Sequence, residues 1–342
     1  MAQPRPLIAF DARDAFVAMP HGSGIYVRRL LDAMQRAFPP ELELWPLRRG
    51  VPGMPEVVFE QAGLPLRALA RRAALIHGPD SFLPLYRRQP GVVTIHDLSF
   101  AAIPGDMPAR TERKYRTLIP RVVESADLVI CPSSFTANDL EQRYALPRAR
   151  IRVIPEAPAL AVGSAPVPDG RYLLAAGDLR PKKNLAVLVQ AFARLHAAGL
   201  PHRLVLAGLD LGTGASLQRL AGAAPVELAG FVDDLALDAL IRGAETVVVP
   251  GIYEGFGLVA LDAMVRGRAT VLARAGALPE TGGEGAAYFE PDDVAELAAV
   301  LERLLGSDAA RGELGAAGRA RAEQFSWEAT AAQTVAVYRE LL

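Results

Sequence analysis

VVVPGIYEGFGLVALDAMVRGRATVL, residues 247–272, sets the reading of the whole chain. Val247, Val248 and Val249 make an apolar run of the kind a buried parallel strand shows. Pro250-Gly251, Gly255 and Gly257 then break it, and residues 258–265 resume with helical spacing. A glycine-rich turn between strand and helix leaves backbone N–H groups bare beside a helix N-terminus, which attracts phosphate. Two carboxylates flank the turn. Glu254 sits on the loop, and Asp262 lies one turn into the helix, on the face of Leu258 and roughly 6 Å further along the axis. Helical side chains lean toward the N-terminus, so Asp262 can reach a group near the phosphate. An acceptor for sugar hydroxyls on either side of a phosphate cradle suits a nucleotide-sugar.

The wording YEGFGLVALDAM resembles the E-x7-E signature of the retaining family-four glycosyltransferases, which have the GT-B fold. The resemblance implies that Glu254 contacts the donor sugar and that the amides of Gly255, Phe256, Gly257, Leu258 and Val259 hold the diphosphate. Asp262 falls at the second acidic position, one methylene shorter than the usual Glu, and would bond the ribose.

The rest of the composition bounds the class. At 342 residues the chain is long for one domain, so two of roughly 150–170 residues are expected. A net charge of −1 excludes bulk electrostatic capture of nucleic acid. The one cysteine, Cys131, permits no intrachain disulfide and fits a cytoplasmic protein; it sits in an apolar run and reads as an inert core residue. No signal peptide and no membrane span of ~18 apolar residues is legible.

Strands are expected at 7–10, 42–45, 74–77, 92–95, 128–131 and 151–154, with helical patterns at 25–38, 110–125 and 135–144 between some of them. Alternation of this kind predicts a parallel sheet covered on both faces, with ligands at the carboxyl ends of its strands. His21-Gly22-Ser23-Gly24 follows the first strand. A plain tight turn explains such glycines, while the family resemblance makes Gly22 and Gly24 a donor-facing loop. His96-Asp97 follows the fourth strand. In TIHDLSF, similar to the family's motif for this domain, His96 is the expected contact to the donor sugar near its reacting carbon. Asp97 is then its orienting partner or a cap. Ser133-Ser134 precede a helix, where N-capping explains one of them. Over residues 107–121, Arg110, Arg113, Lys114, Arg116 and Arg121 face a single acid, Glu112. That is either a solvated helix face or a contact for a lipid-linked acceptor or a membrane surface.

PEAPALAVGSAPVPDG, residues 155–170, has the composition of an interdomain linker. A strand at 171–176 opens the second half, and Gly177-Asp178-Leu179-Arg180-Pro181-Lys182-Lys183-Asn184 follows it. Three cations in four residues at a strand's carboxyl end make either a basic surface turn or a diphosphate clamp. The segment is similar to the family's G-x-L-x-x-x-K-N, which puts Lys183 on the leaving diphosphate. Asp178 stands where the family often has Arg, so Lys182 or Arg180 supplies the second cation, and Lys182 is the assignment. Asn184 is the expected N-cap of a helix at 185–198. A glycine-rich loop at 210–214 is expected to be mobile. Phe231 and Val232 frame the nucleobase by resemblance to the family's G-F-V segment, Phe231 being a core residue by pattern alone, with Asp233 or Asp234 capping the helix after them.

The resemblance spans nearly the whole chain, and its motifs recur in order. It implies an α/β GT-B fold: residues 1–165 as an acceptor-side Rossmann-like domain, 166–325 as the nucleotide-sugar domain, and 326–342 as a terminal helix crossing back to the first. It implies a retaining, metal-independent hexosyltransferase with no cofactor, in which Lys183, Lys182 and the cradle amides stabilise the leaving diphosphate. The segments IHDLSF, IPGDMPARTERKYR and VIPEAP are similar to those of mannosyltransferases that use GDP-mannose in bacterial polysaccharide assembly. UDP-glucose, UDP-N-acetylglucosamine and dTDP-deoxysugars are the other donors, and a glycan or lipid-linked molecule is the acceptor. The expected location is cytoplasmic, with peripheral contact to the inner face of the membrane. A GT-B nucleotide-sugar epimerase and a non-catalytic partner are the competing classes. Only five His are present for the first, and Glu254, His96 and Lys183 are retained against the second.

Overall fold

A computed structural model of the chain describes residues 5–17 and 22–342. In one sheet β1 (Leu7–Asp11), β2 (Glu43–Leu47), β3 (Leu75–Gly78), β4 (Gly91–Thr94), β5 (Leu128–Cys131) and β6 (Ile151–Val153) pair in parallel in the order β2-β1-β3-β4-β5-β6. In the other, β7 (Tyr172–Ala176), β8 (Arg203–Ala207), β9 (Val226–Gly230), β10 (Thr246–Val249), β11 (Ala269–Ala273) and β12 (Ala287–Phe289) pair in parallel in the order β12-β11-β10-β7-β8-β9. This is the doubly wound α/β architecture expected from the alternation of strand and helix patterns.

The residue types explain the sheets. Side chains alternate between faces along a strand. Leu173 joins Leu204, Val248 and Val271 in one cluster, while its neighbours Tyr172 and Leu174 join Val205 and Val247 in another. Both faces are dry, so the strands read as unbroken apolar runs. Pro46 is tolerated because β2 is an edge strand.

Each strand order contains a reversal. In the first sheet it falls between β1 and β3, in the second between β7 and β10. Chains leaving two such neighbouring strands diverge to opposite faces and leave a crevice at the carboxyl ends, where open α/β sheets bind ligands.

The chain divides into two units. The first holds the described residues as far as Ala101, Pro108–Glu156 and Ser326–Leu342; the second holds Ala102–Met107 and Ala157–Phe325. Residues 157–165, within the expected linker and inside the 1–165 bound of the expected first domain, pack with the second unit, where Leu160 is buried and its N–H is bonded to Asp262.

Several local readings change. The helix expected from Ile25 begins at Gly22, so Gly22 and Gly24 form its first turn instead of a loop before it. His21 lies outside the described residues. Helix Gly214–Ala221, strand β9 and the helical stretch from Glu56 to Ala70, which contains a π turn at Phe59–Gly63, were absent from the pattern reading. Among the described residues no helix is long and apolar enough to cross a membrane.

Candidate active site

In the second unit, β7 ends at Ala176 and β10 at Val249, so the segments bearing Lys183 and Glu254 leave from the two sides of the reversal. Lys183 Nζ donates to Glu254 Oε1 at 2.8 Å. Three glycines make this pair possible. A Cβ at Gly177 would lie 3.1 Å from Lys183 Cε, and one at Gly251 would lie 2.7 Å from Glu254 Oε1. At Gly276, with φ +58°, a Cβ would meet the backbone N of Glu254 at 2.7 Å and its O at 2.8 Å. The two loops are also tied directly, Ile252 N donating to Lys182 O at 2.9 Å and Ala277 N to Glu254 O at 2.9 Å.

Gly257 adopts φ +104° and turns the chain into the helix Leu258–Val265. The first N–H groups of any helix lack intrahelical partners, and this helix opens at Leu258, four residues beyond Glu254. Phe256 is buried edge-on to Phe325, with ring centroids 5.7 Å apart, and its carbonyl accepts from Thr281 Oγ1. The cradle backbone is therefore anchored on its inner side.

Of the neighbouring cations, Arg180 is paired through its side chain and Lys182 is tied through its backbone. Asp106 is buried, ion-pairs with Arg180 and accepts the Lys182 N–H at 3.0 Å. Lys182, the expected second cation, is itself buried. Asp178 accepts the Leu209 N–H at 3.3 Å and so holds a loop. Asn184 occupies the N-cap position in a left-handed conformation, φ 47°, but makes no side-chain cap; its amide donates to Pro291 O at 2.8 Å. Asp262 also departs from expectation. It is buried, accepts the Leu160 N–H at 2.9 Å and lies 3.5 Å from Arg266. The carboxylate of this shorter side chain fastens the helix to residue 160. Phe231 is 50% exposed, which overturns its reading as core, while Val232 packs on the cluster around Tyr172. Asp233 caps the next helix through Ala236 N at 2.8 Å.

In the first unit, His96 follows β4. Its Nδ1 lies 2.9 Å from Glu156 Oε1 and its Nε2 lies 3.0 Å from Pro79 O. A carboxylate and a carbonyl can only accept, so both ring nitrogens carry protons. Burial works against the charge, but the hydrogen bond and charge of Glu156, with Asp80 and Pro79 adding to them, push the pKa up to about 9. The orienting partner of His96 is thus Glu156. Asp97 has the alternative task, capping Ser99 N at 2.9 Å. Tyr26, on the helix that begins at Gly22, stacks edge-on to His96 with centroids 4.6 Å apart. From the same helix Ser23 Oγ donates to Asp80 at 3.0 Å. Burial, with like charges on Asp80 and Asp11, raises Asp14 to about 7. Ser133 is the N-cap of its helix, bonded to Thr136 N at 3.1 Å, and Cys131 is buried. Glu156, Asp106 and Pro79 escaped the sequence reading, because none lies within a motif containing its partner.

A family model described as Glycosyltransferase Family 4 matches residues 20–157, and one described as Glycosyl transferases group 1 matches residues 170–307. O-antigen chain mannosyltransferase B of Escherichia coli is 30% identical over 287 residues, 78% of this chain and 74% of that protein. The chain belongs to the GT-B glycosyltransferases. A second relative of this glycosyltransferase, the MMP alpha-(1->4)-mannosyltransferase of Mycolicibacterium hassiacum, is 35% identical over 264 residues, covering 76% of this chain and 59% of that protein. Among solved structures, sucrose-phosphate synthase from Thermosynechococcus elongatus superposes with a TM-score of 0.73 at 24% identity, covering 99% of both chains. HepE of Anabaena, solved in complex with UDP and glucose, gives 0.72 at 17%, covering 99% of this chain and 100% of that one. Both carry the same fold.

Proposed function

We propose that this glycosyltransferase moves mannose from GDP-mannose to a glycan or lipid-linked acceptor, with retention at the anomeric carbon and without a metal. The observation that carries the donor site is the Lys183–Glu254 contact of 2.8 Å at the β7–β10 reversal, beside the N-terminus of helix Leu258–Val265. As the bond from the sugar to the diphosphate breaks, negative charge grows on the leaving oxygens. Lys183 and the cradle amides from Gly255 through Val259 meet that charge. Glu254 neutralises Lys183 before the donor arrives and then accepts a sugar hydroxyl. The acceptor oxygen attacks on the face the diphosphate leaves, and its proton passes to the leaving phosphate oxygen. Mannose is preferred because the relatives at 30% and 35% identity are both named mannosyltransferases.

In the first unit, His96 is the proposed contact to the reacting sugar, offering a fixed positive charge in place of a base. For peripheral membrane contact, Arg110, Arg113 and Arg121 are the candidates. They are exposed, whereas Lys114 is held by Glu56 and Glu60 and Arg116 by Glu112. Flotation with anionic vesicles at low salt tests that face.

The decisive experiment is a thermal-shift screen with GDP, UDP and dTDP, followed by turnover of the matching sugar donor. GDP is expected to raise the melting temperature, and Lys183→Ala to lower turnover at least ~100-fold while leaving the unliganded melting temperature within a few degrees. Stabilisation by UDP or dTDP alone removes mannose from the reading. Stabilisation by none of the three removes the cradle.

A further inference from the structure

At the amino ends of β10 and β11, the end of the sheet away from Glu254, the second unit contains a cavity of about 600 Å³. Val162, Val167 and Val265 line one part of it, and four arginines with Glu323 line the rest. Val162 is 61% exposed and Val167 45%, so the apolar part is open. Two of the arginines are structural. Arg242 and Arg266 both bond Asp238, at 2.7 and 2.8 Å.

Arg268 and Arg319 are different. Arg268 is half-buried, and its Nε bonds only the Arg266 carbonyl, at 3.4 Å. Arg319 lies over the Gly267 turn, where a Cβ would come within 2.8 Å of its Nη2. Among the described residues no carboxylate stands within ion-pair distance of either. The nearby acids are engaged: Asp238 with Arg242 and Arg266, and Glu245 with Arg171, His202 and Arg311. Glu323 is exposed on the rim, one helical turn beyond Arg319. Burial and the like charge of Arg319 hold the Arg268 guanidinium below its ordinary value. Arg268 also lines a second cavity of about 220 Å³ on its other side. Arg319 is exposed and Arg268 half-buried, so the repulsion falls on Arg268, and an anion between the two guanidiniums relieves it. Forked guanidinium donors match phosphate oxygens.

We propose that this cavity is a second ligand site, taking an organic phosphate whose phosphate sits between Arg268 and Arg319 and whose apolar body lies on Val162, Val167 and Val265. A soluble phosphoester and a lipid phosphate share this chemistry.

Calorimetric titration with hexyl phosphate and sedimentation with phosphatidic acid vesicles tell the two sources apart. Each is run on the native chain, on Lys183→Ala and on the double variant Arg268→Gln/Arg319→Gln. Hexyl phosphate is expected to bind native protein and Lys183→Ala alike, and the double variant at least tenfold more weakly. The same dependence in the vesicle arm alone identifies the lipid source. The double variant should keep the native melting temperature, which separates a lost site from a lost fold. Equal binding by the double variant, loss in Lys183→Ala, or no arginine-dependent binding in either arm overturns the proposal. A donor cradle that fails shows instead as absent nucleotide stabilisation of the native chain, and leaves the hexyl phosphate and vesicle results unaffected.

Discussion

His96 and Glu156 stand sixty positions apart in the chain and 2.9 Å apart in space. Neither residue alone predicts a charged imidazole; burial by itself would keep it neutral. Because the folded value, about 9, lies above the ordinary 6.5, the pair's contribution to stability is whole below pH 6.5 and is lost as pH rises through 9. Glu156→Gln removes the partner and leaves the burial. The His96 ring resonances should then titrate at or below 6.5 by NMR, and the variant's melting temperature should vary less than the native one between pH 6.5 and 9.5. A native-like titration in the variant would assign the charge to something other than Glu156. Lys183 and Glu254 were legible in sequence because each belongs to a local motif beside a strand end. Their contact was not, since it depends on the order in which β7 and β10 lie in the sheet.

Among the elements, the glycine turns carry the site, and they show why the glycine pattern was readable while its purpose was only half so. Gly255 and Gly257 announce a turn before a helix. Gly276 gives no such signal, yet it lies against the backbone of Glu254 at a positive φ. Gly276→Ala strains that turn and pushes on the loop, so a loss of about 2 kcal/mol or more is expected in thermal unfolding, together with a fall in turnover. Loss of stability with full turnover would show that Glu254 does not depend on this turn. The helix at Gly22 shows the opposite error. Glycine has poor helix propensity, so its early turn read as loop, but Ser23 bonding Asp80 and Tyr26 packing on His96 hold it as helix. Helix Gly214–Ala221 and β9 were missed for a similar reason. β9 is half-exposed at the sheet edge and lacks an unbroken apolar run.

For the whole molecule, the chain leaves the first unit after Glu156 and returns to it at Ser326. The returning helix, Trp327–Arg339, is integral to that unit's core. Tyr338 is fully buried with its hydroxyl 2.7 Å from His77 Nδ1, and Trp327 meets the ring of Tyr26 at 5.8 Å. Burial drives His77 down to about 3, so this hydrogen bond involves a neutral ring at physiological pH. Tyr338→Ala leaves a cavity and an unsatisfied histidine, and should cost about 3–5 kcal/mol. Both tryptophans, Trp45 and Trp327, belong to the first unit, so their fluorescence follows its unfolding alone. A denaturant midpoint unchanged in that signal would show that the helix is dispensable to the unit.

Sequence by itself determined most of the elements and which loops bear the glycines and charges, because hydrophobic period, turn residues and the E-G-F-G-L and K-K-N motifs act over a few neighbouring positions. Tertiary structure alone decided which groups meet. It gave His96 to Glu156, the Arg180 side chain and the Lys182 backbone N–H to Asp106, and Asp262 to the Leu160 N–H, and among the described residues it left Arg268 and Arg319 without a carboxylate at ion-pair distance. Those outcomes depend on pairings across tens to hundreds of residues, where burial and charge are set by the packed neighbours and not by the adjoining chain.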